Sequence, residues 1–525
     1  IKKELDSINI DQHPNLEYFI YKSIILNNLY GVDIMPEAVE IAKLRLFLKL
    51  VACVDPDPHH LNYGLEPLPD IDFNIRCGNT LVGYANWDEI MMDIESDAIT
   101  AAENKEELPI LCDKVAMAYE SYKQIQLLGY DDFANFSQAR ALLHGQLQEL
   151  TDRLDRMLHQ HSSSMPFDKW KESHQPFHWV AEFYEIIHSR KGFDVIIGNP
   201  PYVLRRKYSA SLLPMKHSTQ HYDNIYAYFV DSSFILMHQF GKNGMIVPIS
   251  LLAGAGYQST LKKLLLNVSW ISSFSNRPGK LFKGVEQRLT VFFSSNIAGT
   301  SYITRHMHWY ESARDDLFAL LEYSVIKVLP RNNIPLKTGN KLACNITDKM
   351  YISKGSLSDF RGVSSDECWY HDGPTYWIRA LPFKPIITSE RSSHYHPFLT
   401  NSSIESSIAA SLLLSTCFYF HYKLISNCRD FGEKEIYAFK YPRFSSEQID
   451  ILSKLVEDAG TILVSTAKLC TRDYNGVITE YYEYYPAEAK RIIDQIDMML
   501  ANNYGFTVEE LDYLIHYDIK YRLGK

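Results

Sequence analysis

Residues 193–203 read FDVIIGNPPYV, and four of them suit one piece of chemistry. Asn199 offers a carboxamide oxygen, and the carbonyl of Pro200 offers a second acceptor. Pro200 and Pro201 fix φ and hold the residues before them extended, so the loop is stiff. Two acceptors converging on one exocyclic amine take both of its hydrogens. That draws the nitrogen lone pair out of ring conjugation and aims it outward as a nucleophile. Tyr202 adds a flat face on which a base turned out of its stack can lie. No strong base is needed, because the nitrogen proton becomes acidic once the nitrogen is alkylated. The pattern describes amine methylation.

Such a group needs a rigid strand tip to stand on. Val195-Ile196-Ile197 reads as a buried strand, and residues beyond the carboxyl end of a parallel strand face the crevice where α/β proteins bind ligands. Strands are expected also at 27–34, 72–81, 244–250, 270–276 and 288–295, the last two as an antiparallel edge pair. Pro36 and Glu37 open a helix whose apolar residues lie on most faces, so burial is expected. A further helix is expected over 225–241. Strand and helix alternate, which argues for an open α/β sheet. Between the second and third strands, roughly 90–170, Leu142, Leu143, Leu147, Leu150, Leu154 and Leu158 recur at helical spacing and predict a helical hairpin. Helices return after about residue 446.

The bulk numbers narrow the class. The 525 residues allow two to four domains. The eight cysteines stand singly with no C-x-x-C pair, which indicates neither a zinc site nor a disulfide framework and suits a reducing compartment. No apolar run approaches ~18 residues, so no membrane partner is expected. Net charge is −10, yet residues 201–345 hold 17 Lys and Arg against 7 Asp and Glu, which leaves +10 there and −20 elsewhere. One segment offers the field a phosphate backbone would feel. Pro69-Asp70 and Glu103-Asn104-Lys105 imitate a magnesium nuclease pattern, but Glu103 falls in a helical stretch, so converging metal ligands are not expected.

The blocks LYGVDIMPEAVEIAKLRL, NIRCGNTLVG, GFDVIIGNPPYV, GKNGMIVPISLL and GKLFKGVEQRLTVFF, in that order, resemble the large adenine methyltransferases of restriction–modification and phage-defence systems, including the Type IIG enzymes. The likeness covers most of 25–300. It implies an α/β, Rossmann-like sheet dependent on S-adenosyl-L-methionine, a helical insertion, and a C-terminal mixed α+β target-recognition domain. In those terms the chain divides into 1–90 and 171–300 (the two parts of the methyltransferase domain), 91–170 (the insertion), 301–445 (target recognition) and 446–525 (a helical segment). Asn199, Pro200 and Tyr202 would hold the target adenine. Asp33 would take the cofactor ribose hydroxyls, and Asn79 would lie near the cofactor adenine, although cap and turn roles fit these two as well. Phe282 or Val285 would pack on the flipped base, with core packing as the alternative. Arg205, Arg206, Lys280, Lys283 and Arg288 would meet the backbone of double-stranded DNA. The base-reading region would draw on Arg305, Lys337, Arg361 and Arg391 with Trp309, Trp369, Tyr376 and Trp377, while Tyr481–Tyr485 could form a stacking platform but, among acids, better suit helix packing.

The resemblance breaks at the amino end. Relatives carry a glycine-containing block on the first strand, and residues 1–30 hold no glycine. The expectation is therefore a sheet lacking its first strand, weak cofactor binding by this chain alone, and an upstream polypeptide that supplies the glycine-rich block. The expected setting is a prokaryotic cytoplasm. Two other readings stay open: methylation of RNA or of a protein glutamine, and a non-catalytic DNA-specificity subunit.

Overall fold

The computed structural model describes residues 15–59, 63, 68–96, 101–128, 133–162, 165–207, 222–329, 333–363, 366–386, 394–474 and 477–524. The chain forms two compact units. One is Ile1–Ile196 with Val203–Lys242, and the other is Ile197–Tyr202 with Asn243–Lys525.

In the first unit, α1 (Leu16–Asn28) leads into β1 (Gly31–Asp33), then α2 (Pro36–Val51) and β2 (Ile75–Cys77). β1 and β2 pair in parallel, with Asp33 opposite Cys77. Asn74 fixes the turn between α1 and β1, because its amide donates to the carbonyls of Ile25, Leu26 and Leu29. The expectation of a buried α2 is corrected: only Val39 and Leu50 are buried, while Ile41, Leu44, Leu48 and Val51 are exposed. An apolar pattern states what a helix can bury, and a partner covers only one of its faces here. The helical hairpin forms as α3 (Ala101–Leu128) and α4 (Phe133–Ser162). Leu143, Leu147, Leu150, Leu154 and Leu158 join its core, and Leu142 points to solvent. Asp70 pairs with Arg140 and Glu103 with Arg153, so the nuclease-like carboxylates serve separate ion pairs.

Two strands, β3 (Phe193–Gly198) and β4 (Met237–Pro248), run along the chain from the first unit into the second. The helix expected over 225–241 ends sooner, as α5 (Tyr226–Leu236), where Met237 takes up strand geometry. After α6 (Gln258–Leu266) come β5 (Asn267–Phe274), β6 (Leu289–Ala298), β7 (Tyr302–Met307) and β8 (Ser324–Val325). The sheet order is β3-β4-β6-β5-β7-β8. β5 and β6 are antiparallel as expected, yet they are not the edge, since β7 pairs parallel to β5 and β8 follows it. On one sheet face Val247, Ile271, Phe292 and Ile303 are fully buried. The opposite face is buried at one end, where Phe274 and Met307 cluster with Trp309 and Leu317, and more exposed toward the other. Trp270 and Phe293 are register partners at that more exposed end, 42% and 58% exposed. Val195 and Ile197 of β3 are 63% and 80% exposed, which corrects the expectation of a buried strand.

The rest of the second unit packs a three-stranded sheet (Glu367–His371 at its centre, with Ala380–Leu381 and Tyr395–Leu399) against helices. These are α7 (Ser403–Leu414), α8 (Thr416–Ile425), α9 (Ser446–Ser465) and α10 (Lys490–Tyr504). Asp497 of α10 reaches the start of α8, accepting the backbone N–H groups of Thr416 and Cys417 at 3.1 Å each. A hairpin (Lys468–Tyr474 with Val477–Glu483) places Tyr481 and Tyr482 on a strand, and Tyr482 and Tyr484 pack against the core that these helices share. No single helix is long and apolar enough to cross a membrane; α7 and α8 together are apolar enough but are bent by 67° and buried in the core. Among the described residues no three His, Cys, Asp or Glu side chains are grouped to hold a metal.

Candidate functional site

Asn199 stands exposed directly beyond the carboxyl end of β3, followed by the buried Pro200. The Tyr202 hydroxyl folds back, 2.8 Å from Asn199 Oδ1 and 3.0 Å from the Ile246 carbonyl on β4. One phenolic proton thus serves two acceptors, orienting the carboxamide and tying the loop to the neighbouring strand. Burial pushes the phenol up to about 12, so it stays a donor at neutral pH. The Asn199 oxygen keeps a second lone pair for an incoming N–H group. Stiff backbone and a fixed amide are what a hydrogen-bond acceptor for an exocyclic amine requires.

The segment between β5 and β6 carries the other candidates of this unit. Phe282 and Val285 are half-buried, Lys283 is exposed and Arg288 is half-buried. Lys280 is ion-paired with Glu286, and that lysine holds the Glu286 carboxyl below its usual range. The Arg288 carbonyl accepts from Ile249 just past β4 (3.0 Å), which brings this segment to the same sheet edge as the Asn199 loop.

In the first unit Asp33 ends β1 with its side chain exposed, and one carboxylate oxygen accepts the Met35 N–H at 2.8 Å. Among the described residues no hydrogen bond reaches the other oxygen. Asn79 accepts the Leu81 N–H at 3.1 Å, a turn role, while its buried amide nitrogen has no partner. The turn approaches Phe177 so closely that a Cβ on Gly83, at φ +136°, would lie 2.1 Å from the Phe177 carbonyl oxygen. Arg205 and Arg206 form a short 3₁₀ turn in this unit, half-buried and exposed respectively.

Several expected base readers are buried instead. Lys337 is 1% exposed and donates to the Leu424 and Ser426 carbonyls at the end of α8 (2.8 and 2.9 Å). Arg305 faces the buried Asp518 at 3.8 Å, and Trp309 and Trp369 lie in core clusters. Arg361 covers the Tyr437 ring, and Trp377 lies beneath Arg522, whose guanidinium is 3.8 Å from its ring centre. Tyr376 remains half-buried, and Arg391 lies outside the described residues. The Ile246 carbonyl was not visible to sequence reasoning. Nor was a buried contact of 2.8 Å between Lys423 Nζ and His308 Nε2.

Residues 27–282 match the family described as Eco57I restriction-modification methylase. A Methanocaldococcus jannaschii protein, RM.MjaORFECS2P, described as a type II restriction enzyme and methyltransferase, is 31% identical over 310 residues, 51% of this chain and 26% of its own length. The chain thus spans about a quarter of that relative. Among solved structures, the DrdV–DNA complex is similar at 12% identity over 74% of this chain and 62% of that one, with a TM-score of 0.28. The ATP-dependent Type ISP restriction-modification enzyme LlaBIII bound to DNA is 10% identical over 78% and 43% of the two chains, with a TM-score of 0.27. The EcoKI M protein of a Type I restriction enzyme is 11% identical over 33% and 39%, with a TM-score of 0.20. Scores this low define no shared architecture beyond the mixed α/β organisation already described.

Proposed function

We propose that this methylase-family chain is a site-specific DNA adenine N6-methyltransferase, part of a restriction–modification or phage-defence system. The observation that carries the reading is the Asn199 carboxamide, exposed at a strand tip and oriented by Tyr202. Asn199 Oδ1 and the Pro200 carbonyl accept the two amino hydrogens of an adenine turned out of the duplex. The Tyr202 ring stacks on the base, and Phe282 or Val285 packs beside it. With its lone pair freed from the ring, the amine needs only a positioned electrophile. S-adenosyl-L-methionine supplies the methyl group when bound; Asp33, with one free carboxylate oxygen, and Asn79, with its unpartnered amide, fit its ribose and adenine.

The sheet supports a second element of the reading, an additional polypeptide carrying the glycine-rich cofactor block. β3 ends the sheet order, and Ile197, Trp270 and Phe293 stand exposed on the sheet. A doubly wound sheet buries both faces. The same observation favours a second reading, a DNA-specificity subunit that does no chemistry by itself. Transfer of tritiated methyl from S-adenosyl-L-methionine to DNA, measured with and without the polypeptide encoded upstream, separates the two. Asn199→Ala should lower transfer by about 10²–10³-fold, the scale for loss of one preorganised group at a reacting centre. Unchanged transfer would remove the mechanism. Label on protein or RNA and not on DNA would reassign the substrate.

A further inference from the structure

We propose that His308, its ring set by Lys423, is a positioning residue: with Asn276 it braces the loop between β5 and β6, so that Phe282 and Val285 are held for the base they pack against. That use of the loop rests on the function proposed above; the brace itself rests on contacts within the second unit.

Residues 276–288 form neither helix nor strand, and most are exposed or half-buried, so contacts with the rest of the unit must fix their place. The tip is a turn in which the Val285 N–H donates to the Phe282 carbonyl (3.3 Å) around Gly284 at φ +83°. Buried Asn276 closes the base, its amide donating to the Glu286 carbonyl at 3.1 Å. One side of the loop lies against β7 and the residues that follow it. Ser275 and Gly279 donate to the Met307 and Trp309 carbonyls, 2.8 Å each, and Leu281 packs on the cluster around Trp309. Glu311 and Arg314 also bond the backbone at Lys280 and Leu281, but on the exposed side, where water competes.

The deep anchor is His308, which is buried just after β7. Its Nδ1 lies 2.9 Å from the Arg277 carbonyl, and a carbonyl only accepts, so Nδ1 carries the proton. Nε2 lies 2.8 Å from Lys423 Nζ on α8 and offers its lone pair to an ammonium that only donates. A charged ring would turn an N–H against that ammonium; burial and Lys423 hold the ring near 4, so it is neutral at pH 7. Asp518, 3.8 Å from Nε2, offsets the ammonium from beyond hydrogen-bond reach. The Tyr521 hydroxyl donates to the His308 carbonyl at 2.7 Å, and the rings of Tyr376 and Tyr521 lie 5.3 and 5.4 Å from the imidazole. Among the described residues His308 is the only hydrogen-bond partner of Lys423 Nζ. A ring that turned or changed tautomer would leave that buried cation without an acceptor, which is costly. The loop thus takes its position from a core helix.

Two measurements on the full chain separate the loop from the reaction: hydrogen exchange of the amides at 279–287, and tritiated methyl transfer to DNA with the polypeptide encoded upstream present. His308→Gln keeps one donor and one acceptor and should hold parental values in both. His308→Leu combined with Lys423→Met removes the brace without stranding a buried charge. Loop exchange should then rise about tenfold while the amides of α10 keep their protection. In the same variant kcat should fall about 10- to 100-fold, the scale for a misplaced group near a reacting centre, with KM for DNA unchanged. Asn276→Ala opens the base of the loop without touching the buried pair, and carries the same expectations if the double variant does not fold. Parental loop exchange in these variants would overturn the brace. Faster exchange with parental kcat would overturn the positioning role and leave the methyltransferase reading standing. A parent that transferred no methyl to DNA would overturn that reading and the task given to the loop, and loop exchange would still decide the brace.

Discussion

Tyr202 does two things with one side chain, and phenylalanine separates them. In the proposed reaction the ring is the stacking face, while the hydroxyl spans Asn199 Oδ1 and the Ile246 carbonyl. Tyr202→Phe keeps the first and lets the carboxamide rotate. The expected result is a fall of about tenfold in kcat, worth about 1.4 kcal/mol, the scale of one hydrogen bond. KM for DNA should hold; an equal rise in KM would assign the hydroxyl to binding. Asn199 was legible because its neighbours in sequence make its geometry. Its anchor was not, since Ile246 contributes a backbone atom 44 residues from Tyr202 and no residue type announces that. Lys337 and Trp309 show the reverse. Their types suit nucleic acid, but type says nothing of partners, and each had a buried one.

Among the elements, the turn after β2 is set by contact as well as conformation. Gly83→Ala would place a methyl 2.1 Å from the Phe177 oxygen at a φ of +136°. The loss should be about 3 kcal/mol or more, read as a lowered denaturation midpoint. Gly145→Ala, inside α4 with nothing near its Cβ, should gain up to about 1 kcal/mol and serves as the control. Strand positions were readable because β-branched runs end in turn residues. Sheet order was not, because strand pairing depends on contacts distant in sequence; hence β6 lies between β4 and β5 and not at an edge. The exposed side of α2 escaped for a similar reason.

At the scale of the whole molecule, acid is the weak point. Burial, the first cause in each case, holds His308 and His421 near 4 and His371 near 3, against 6.5 when unfolded. Between those values the unfolded chain binds more protons, so stability is full above pH 6.5 and is lost as pH falls toward 4. Asp497 opposes this, since burial raises it to about 6 and the folded chain binds the extra proton below that value. Burial raises Glu182 and Glu435 in the same way and lowers His306 with the other rings. Four histidines outweigh three carboxylates, so Tm should drop from pH 7 to 4.5, and a flat profile would contradict the burial of these rings. The separation of charge was legible as a basic run at 201–345; which of its members stay unanswered required the fold. The exposed apolar side chains of the sheet have a practical consequence. With Trp270, Phe293 and Ile197 turned to water, the purified polypeptide should be adhesive. It will cling to itself, to resin and to detergent, and a silent assay on a clumped preparation reports on wetting before it reports on catalysis.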